Sequence, residues 1–133
     1  MSVGAIIKLG DVVLIVKRGV EPGRGRWSVP GGAVELGEIV KDAIVREAFK
    51  ESNLEVRPIE FVGYYDYIAK DSGSDVRFLI IYWLCESVGG HARASSDATD
   101  AKWVDFADLE EYDITGGTLN MLQKVERRAG DGT

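Results

Sequence analysis

The sequence predicts an α/β (α+β) fold in which a mixed β-sheet lies between helices. Runs rich in β-branched and aromatic residues alternate with two segments of helical periodicity, in the order strands, helix, strands, helix. The chain of 133 residues is long enough to bury a core without disulfides or a structural metal. We therefore expect residues 1–133 to form a single domain.

Six segments are predicted to be extended, because β-branched or aromatic residues dominate them and turn-forming residues bound them. These are residues 2–9, 12–17, 27–30, 56–68, 77–88 and 101–106. Residues 12–16 are apolar throughout, which is typical of a central strand covered on both faces. The pair Gly10-Asp11 predicts a hairpin turn after the first strand, and the polar residues 70–75 predict a turn between the two long strands.

Two helices are predicted. The first begins near Glu38, whose negative charge suits the positive end of a helix, and runs to about Ser52. Asn53 then suits a left-handed C-terminal cap. The last helix covers residues 118–128, which have leucines on one face and basic residues in the final turns. A further helical turn is predicted at residues 107–112.

Charge and rare residues exclude several classes of function. The net charge of −6 and pI near 4.8 argue against a general nucleic-acid or anionic-membrane binder, because the average field repels phosphates. Cys85 is the only cysteine and His91 the only histidine, so an internal disulfide, a His-based zinc site and a His-dependent triad are not expected. With no signal-peptide pattern at the start, we expect a cytoplasmic protein.

The first helix places two carboxylates on its inward face. The apolar stripe that should face the sheet consists of Val40, Ile44 and Ala48. At about 100° per residue, Glu47 and Glu51 lie within roughly 20° of this stripe and next to each other. Two anions at the edge of a core repel unless a cation or a positioned proton offsets the cost. Oxygen ligands alone suit a hard cation such as Mg²⁺ or Mn²⁺.

The same residues permit a second interpretation. If the helix is longer or rotated, both glutamates are solvated and paired with Arg46 or Lys50, and the rarity of buried charges favours this arrangement for any two helical glutamates. The preceding pair Gly31-Gly32 favours the metal site instead. Adjacent glycines let a ligand approach the backbone closely, which would bring a carbonyl into a metal shell.

Residues 32–54 resemble the Nudix box, which reads Gly, five residues, Glu, seven residues, Arg-Glu-aliphatic-any-Glu-Glu-any-Gly-aliphatic. The matching positions are Gly32, Glu38, Arg46, Glu47, Ala48, Glu51 and Leu54. The flanking residues 14–18, 25–32 and 100–103 also resemble this family. The chain is therefore similar, over most of its length, to small MutT-like Nudix hydrolases.

This resemblance implies an α/β/α sandwich that hydrolyses a nucleoside diphosphate linked to another moiety, with Mg²⁺ or Mn²⁺ as cofactor. By the same resemblance, Glu47 and Glu51 are metal ligands, one of them helps to activate water, and Gly32 adds its carbonyl to the metal shell. Glu38 and Arg46 are implied to hold the loop and the helix together, with Arg46 orienting a carboxylate. The predicted catalytic group is therefore Glu38, Arg46, Glu47 and Glu51.

Two positions depart from the family pattern. Asn53 replaces Gly, a mild change because Asn tolerates the left-handed conformation. Lys50 replaces a Glu that the family uses as a metal ligand, and its charge opposes a bound cation. We therefore expect one metal rather than two or three, with Lys50 either contacting a substrate phosphate or weakening catalysis. Asp100, with Asp97 in reserve, is the candidate to complete the metal shell.

Arginines and aromatic residues indicate how a substrate would be held. Arg18 and Arg26 flank the box and are predicted to contact phosphate oxygens, whereas Arg24 is at least as well explained as a solvated loop charge. The two long strands carry aromatic residues, most of which should fill the core while one stacks on a base. These are Tyr64, Tyr65, Tyr67, Phe78, Tyr82 and Trp83.

Two hypotheses for the function remain at this stage. The first is a Mg²⁺-dependent Nudix hydrolase acting on a small nucleotide diphosphate derivative, such as a nucleoside triphosphate or an ADP-ribose-like compound. The second is a Nudix-fold module that binds a nucleotide with weak or no catalysis, because Lys50 replaces a ligand. The oligomeric state, including a homodimer, stays open.

Overall fold

A computed structural model describes residues 1–21, 23–71 and 74–131. Within these ranges, seven strands form one mixed sheet that lies between two α-helices. The elements are β1 (Ser2–Leu9), β2 (Val12–Arg18), β3 (Trp27–Ser28), β4 (Gly31–Ala33), α1 (Val40–Ser52), β5 (Glu55–Asp71), β6 (Ser74–Gly89), β7 (Ala98–Asp105), a 3₁₀ helix (Phe106–Glu111) and α2 (Gly116–Asp131). The predicted fold class is confirmed.

Strand β1 lies at the centre of the sheet. It runs parallel to β6 and antiparallel to β2 and β4, in the strand order β3-β2-β1-β6-β5. Strand β7 pairs with the full length of β2, whereas β1 and β3 pair with opposite ends of β2. Pairing with β4 sets Gly31 opposite Gly4 and Gly32 opposite Val3. The glycine pair is thereby held against the central strand.

The two faces of the sheet support two apolar clusters, because side chains alternate along β1 and β2. The cluster under α1 contains Val3, Ala5, Ile7 and Leu14 from the sheet, packed on Ala43, Ile44 and Ala48. The cluster under α2 contains Ile6, Val13 and Ile15 from the sheet, packed on Leu122 and Val125. The prediction that residues 12–16 form a strand covered on both faces is confirmed.

The start of α1 differs from the prediction. The helix begins at Val40, because Gly37 has a φ of 83° and residues 35–38 form a turn closed by the Glu38 N–H on the Glu35 carbonyl oxygen. Glu38 therefore precedes the helix instead of opening it. The predicted end is confirmed, since α1 ends at Ser52 and Asn53 has the left-handed φ of 63°.

Other boundaries differ because pairing partners extend the strands beyond their apolar runs. Strands β5 and β6 form a long hairpin with register shifts, and β7 begins at Ala98 rather than at 101. The short strand β4 was not predicted, and α2 is longer than expected at both ends. Residues 72–73 of the predicted polar turn lie outside the described residues. Among the described residues, neither helix is long and apolar enough to cross a membrane.

The left-handed cap at Asn53 gives a stability test. We expect Asn53→Ala to lower the free energy of unfolding by about 1–2 kcal/mol, because alanine tolerates a positive φ poorly. The substitution also removes the bond that the Asn53 Nδ2 donates to the His91 carbonyl oxygen at 3.1 Å. Asn53→Gly loses the same bond but suits the φ, so it should cost less in urea denaturation. Equal losses in both variants would contradict the cap.

Candidate active site

A cavity of about 400 Å³ lies where the central strands meet the β5–β6 hairpin and the N-terminus of α2. The strands β1, β2 and β4 supply one side, and Glu51 reaches it from the C-terminal half of α1. Charged residues from the sheet and the loop before β7 join Glu51, while aromatic residues come from the hairpin. The cavity therefore has charged side chains at one end and aromatic rings along the side that the hairpin forms.

Glu51 is the carboxylate of α1 that lines this cavity. Its Oε1 accepts a hydrogen bond from the Gly31 N–H at 3.0 Å. Burial raises the pKa of Glu51 to about 7, and the negative charges of Glu47 and Asp97 act in the same direction. The Gly31 hydrogen bond and the charge of Arg18 oppose this rise. The anion of Glu51 is thus poorly compensated by the protein itself.

Glu47 lies in a different environment, although it is only one helical turn away. It is 5% exposed, and its Oε1 accepts a hydrogen bond from the Arg46 Nη1 at 2.6 Å. The Lys50 Nζ lies 3.9 Å from the same oxygen. The other face of the carboxylate rests on Gly32, where an added Cβ would lie 2.6 Å from the Glu47 Oε2. A side chain at position 32 would displace this carboxylate.

Arg46 joins the turn before α1 to the helix itself. Its Nε and Nη2 donate to the two carboxylate oxygens of Glu38 at 2.8 and 2.9 Å, and Nη2 also donates to the Ala33 carbonyl oxygen at 2.9 Å. Glu38 accepts a further bond from the Glu35 N–H. These hydrogen bonds lower the pKa of Glu38 to about 2. The structure therefore brings Glu38, Arg46 and Glu47 into one network.

The predicted phosphate contacts are divided between two places. Arg18 and Arg26 both line the cavity, but Arg26 also bonds to the Asp113 Oδ1 at 3.2 Å and to the Ile114 carbonyl oxygen at 3.1 Å. Lys50 does not line this cavity. It is half-exposed and lies in a shallow depression on the α1 surface, together with Arg46 and Arg93.

The two candidate aspartates are also separated. Asp100 is exposed on β7, where its carboxylate accepts the Ala101 N–H at 2.8 Å, and it is not among the described residues that line the cavity. Asp97, the reserve candidate, lines the cavity and its charge acts on Glu51. The geometry favours Asp97 over Asp100 as a second carboxylate beside Glu51.

Four of the six aromatic candidates line the cavity. Tyr67 and Phe78 stack with ring centroids 5.1 Å apart at 14°, and Tyr65 lies 5.3 Å from Tyr67. Tyr82 is buried among the lining residues. Tyr64 is 63% exposed and lies outside the lining, and Trp83 packs against the cluster under α1. We use "aromatic wall" for Tyr65, Tyr67 and Phe78.

Sequence reasoning missed a buried polar group behind this wall. The Thr118 Oγ1 lies 3.1 Å from both the Ser28 Oγ and the Tyr82 hydroxyl, and all three residues are buried. Gly117 was missed as well, although an added Cβ there would lie 2.4 Å from the Tyr65 ring. The adjacent Gly116-Gly117 pair was the available signal, since paired glycines permit close approach.

The carboxylates that line the cavity, Glu51 and Asp97, supply part of the ligand shell that a hard divalent cation requires. Within the described ranges, no group of three or more His, Cys, Asp or Glu side chains could hold a metal ion. Glu51 nevertheless carries the repulsion of Glu47 and Asp97, which a cation would relieve. Mg²⁺ commonly takes one or two carboxylates and completes its shell with water and substrate phosphates. Glu51 and Asp97 suit that pattern.

The comparison with protein families decides the assignment. A family model described as the NUDIX domain matches residues 1–125. The chain belongs to the Nudix family. The predicted membership is confirmed, and the family generally uses divalent metal ions.

Curated relatives and a solved structure agree with the Nudix assignment. The chain is 32% identical to an ADP-ribose pyrophosphatase of Methanocaldococcus jannaschii, over 82% of this chain but only 63% of the relative. It is 36% identical to a putative 8-oxo-dGTP diphosphatase 2 of Mycobacterium tuberculosis, over 83% and 75%. A crystal structure of a MutT NUDIX hydrolase from Burkholderia pseudomallei superposes with a TM-score of 0.83 at 25% identity, covering 93% and 95% of the two chains.

Because the pKa of Glu51 is raised, the free energy of unfolding should depend on pH when EDTA keeps metal ions away from the protein. The pKa of Glu51 is 4.5 in the unfolded chain and about 7 in the folded protein. Because the folded protein holds the proton more tightly, the free energy of unfolding decreases as the pH rises from 4.5 to 7. We expect Glu51→Gln to remove this loss. The free energy of unfolding of the variant, relative to the wild type, should increase from pH 5 to pH 8 by up to about 3 kcal/mol.

Chemical denaturation at both pH values measures this change. Glu110→Gln is the matched control, because it makes the same substitution at an exposed position of the 3₁₀ helix outside the cavity lining. A pH-independent difference between wild type and Glu51→Gln would contradict the assigned environment of Glu51.

Proposed function

We propose that this Nudix protein hydrolyses the diphosphate linkage of a small nucleotide derivative, with Mg²⁺ or Mn²⁺ as its cofactor. The substrate class is a nucleoside triphosphate or an ADP-ribose-like compound. One observation carries the proposal: a single cavity joins Glu51 and Arg18 at its charged end to the aromatic wall. The names of the relatives, which include an ADP-ribose pyrophosphatase and an 8-oxo-dGTP diphosphatase, support the same two substrate types.

The aromatic wall provides the surface for a nucleobase. Its Tyr67 and Phe78 rings are stacked and border a cavity of about 400 Å³, a volume within the usual range for small-molecule sites. Stacking on an aromatic ring suits any base, because every base has a π-face. The Tyr82–Thr118 pair behind the rings holds that side of the cavity in place.

The charged end is suited to the diphosphate. Glu51 and Asp97 would hold the divalent cation, and Arg18 lies close enough for its charge to act on Glu51. When bound, the cation supplies charge neutralisation of the diphosphate and a bound water of lowered pKa. Arg18 would donate to phosphate oxygens. Arg26 holds the Asp113–Ile114 segment beside the cavity through its two hydrogen bonds.

The alternative of a nucleotide-binding module with weak or no catalysis is not supported by the comparisons. Lys50, the residue that suggested it, lies outside the cavity in the shallow depression on α1. A cytoplasmic location and a homodimer remain predictions, as does a metal-binding role for Asp100.

Turnover is the direct test. Purified protein with Mg²⁺ or Mn²⁺ should hydrolyse at least one member of a panel of nucleoside triphosphates, ADP-ribose, dinucleoside polyphosphates and nucleotide sugars. We expect Glu51→Gln to lower kcat/KM by more than about 100-fold, because it removes a charged metal ligand while keeping the hydrogen bond from Gly31. Product analysis by chromatography measures both rates. Micromolar binding without turnover by the wild type would overturn the proposal.

The aromatic wall gives a second test with a built-in control. Tyr67→Ala should raise KM by roughly 5- to 150-fold, because base–aromatic stacking contributes about 1–3 kcal/mol. Tyr64→Ala removes the same side chain from the same strand, but at an exposed position outside the cavity lining. Steady-state kinetics of the two variants on the best substrate decide the point. Equal effects on KM would show that the base binds elsewhere.

A further inference from the structure

Three buried hydroxyl groups lie side by side at the cavity, and we call them the hydroxyl row. The Thr118 Oγ1, in the first turn of α2, lies 3.1 Å from the Ser28 Oγ and 3.1 Å from the Tyr82 hydroxyl. All three residues line the cavity. Ser28 is 8% exposed, and Thr118 and Tyr82 are each 2% exposed. The row therefore borders the ligand space from inside the protein.

The hydroxyl row holds more donors than the protein uses. Each hydroxyl has one hydrogen to donate, so the row has three donors, whereas its two contacts use two of them. Within the part of the chain that the structure describes, these two contacts are the only hydrogen bonds of the three hydroxyls. One O–H is left over whichever way the groups turn. A buried donor costs free energy unless it meets an acceptor, and a ligand in the cavity can supply one.

Tyr82 is the end of the row that lies beside the aromatic wall. Burial raises the pKa of Tyr82, and Tyr67 and Tyr65 are close enough to act in the same direction. The hydroxyl therefore keeps its proton at neutral pH and can donate it. Gly4 on the central strand makes room for the ring, since an added Cβ there would lie 2.7 Å from the Tyr82 ring. Packing thus fixes the place of this donor.

The start of α2 adds backbone donors next to the row. The Leu119 N–H closes the first turn on the Thr115 carbonyl oxygen at 2.9 Å. The N–H groups of residues 116–118 belong to that first turn, which has no acceptors of its own for them. Gly116 lines the cavity, and a Cβ added there would meet nothing within 4 Å. A ligand atom can therefore come close to this backbone.

These donors favour a ligand atom that only accepts hydrogen bonds. A ring carbonyl oxygen of a nucleobase is such an atom, because it has lone pairs and no hydrogen. An exocyclic amino group would bring further donors to a place where donors are already in excess, and would leave the surplus O–H without an acceptor. Stacking on the aromatic wall tolerates every base, so discrimination between bases has to come from polar groups at the edge of the ring.

We propose that Tyr82 determines base specificity: its hydroxyl donates the surplus hydrogen bond of the row to a ring carbonyl oxygen, so that bases with a carbonyl group are preferred over bases with an amino group in the same place. The preferred bases are guanine, hypoxanthine, uracil and thymine, and the disfavoured ones are adenine and cytosine. The inference rests on the proposed function in taking a nucleotide as the ligand of this cavity.

A matched pair of nucleotides tests the preference. Inosine triphosphate and ATP share their sugar and phosphates, but hypoxanthine has a carbonyl group, and a proton on the adjacent ring nitrogen, where adenine has an amino group. We expect kcat/KM of the wild type to be at least about 10-fold higher for inosine triphosphate. Inosine diphosphate ribose and ADP-ribose form the same pair for an ADP-ribose-like substrate. Equal values, or a preference for adenine, would overturn the inference.

Two variants test Tyr82 itself through the ratio of the two kcat/KM values. Tyr82→Phe keeps the ring and removes the donor, so the preference should fall below about 3-fold. Ser28→Ala removes the hydroxyl at the other end of the row and should keep the preference, because Thr118 and Tyr82 still bond to each other. A merely structural loss would lower both substrates alike and leave the ratio unchanged. Loss of the preference in both variants, or in neither, would contradict the role of Tyr82.

Binding separates this inference from the proposed function. Calorimetric titration of Glu51→Gln with each intact triphosphate and Mg²⁺ gives two Kd values without turnover. A Kd about 10-fold lower for inosine triphosphate, in a protein whose wild type hydrolyses neither nucleotide, would uphold the inference and overturn the proposed function. Turnover of both nucleotides with equal kcat/KM would do the reverse, and binding of neither would overturn both. Circular dichroism confirms beforehand that each variant is folded.

Discussion

The site depends on one guanidinium group. Arg46 donates to Glu38, to Glu47 and to the Ala33 carbonyl oxygen, and so connects the helix α1 to the strand and the turn that precede it. Without these bonds, a nearly buried Glu47 would be an uncompensated charge at the edge of the core, which is costly. With them, α1 is held close enough to β4 for Glu51 to accept the Gly31 N–H.

One helix consequently presents two carboxylates with opposite properties. Glu47 is covered by Arg46, Lys50 and the backbone of Gly32, whereas Glu51 faces the cavity with a raised pKa and the charge of Asp97 nearby. Spacing along the helix makes the two residues neighbours, but the partners around each carboxylate decide its chemistry. The charge that the protein leaves poorly compensated is that of Glu51. The exchange of a family glutamate for Lys50 lies on the side of the compensated carboxylate.

The aromatic wall shows where periodicity alone stops being informative. Alternation along β5 and β6 predicts that some rings face a pocket, but register shifts lie between Glu55 and Gly63 and change which ones do. Tyr65 and Tyr67 face the cavity with Phe78, and Tyr64 faces away. A bulge shifts every later side chain by one position, and nothing local in the sequence marks where it occurs.

The sequence by itself determined the order of most elements, the double-sided core around residues 12–16, the cap at Asn53 and the membership of the Nudix family. These follow from local periodicity, from backbone preference and from fixed spacings within one helix. The tertiary structure alone decided that Asp97 rather than Asp100 lines the cavity with Glu51, and that Lys50 lies outside the cavity. Such choices depend on how a loop and a helix face approach each other across the sheet, and contacts between distant parts of the chain leave no pattern in neighbouring residues.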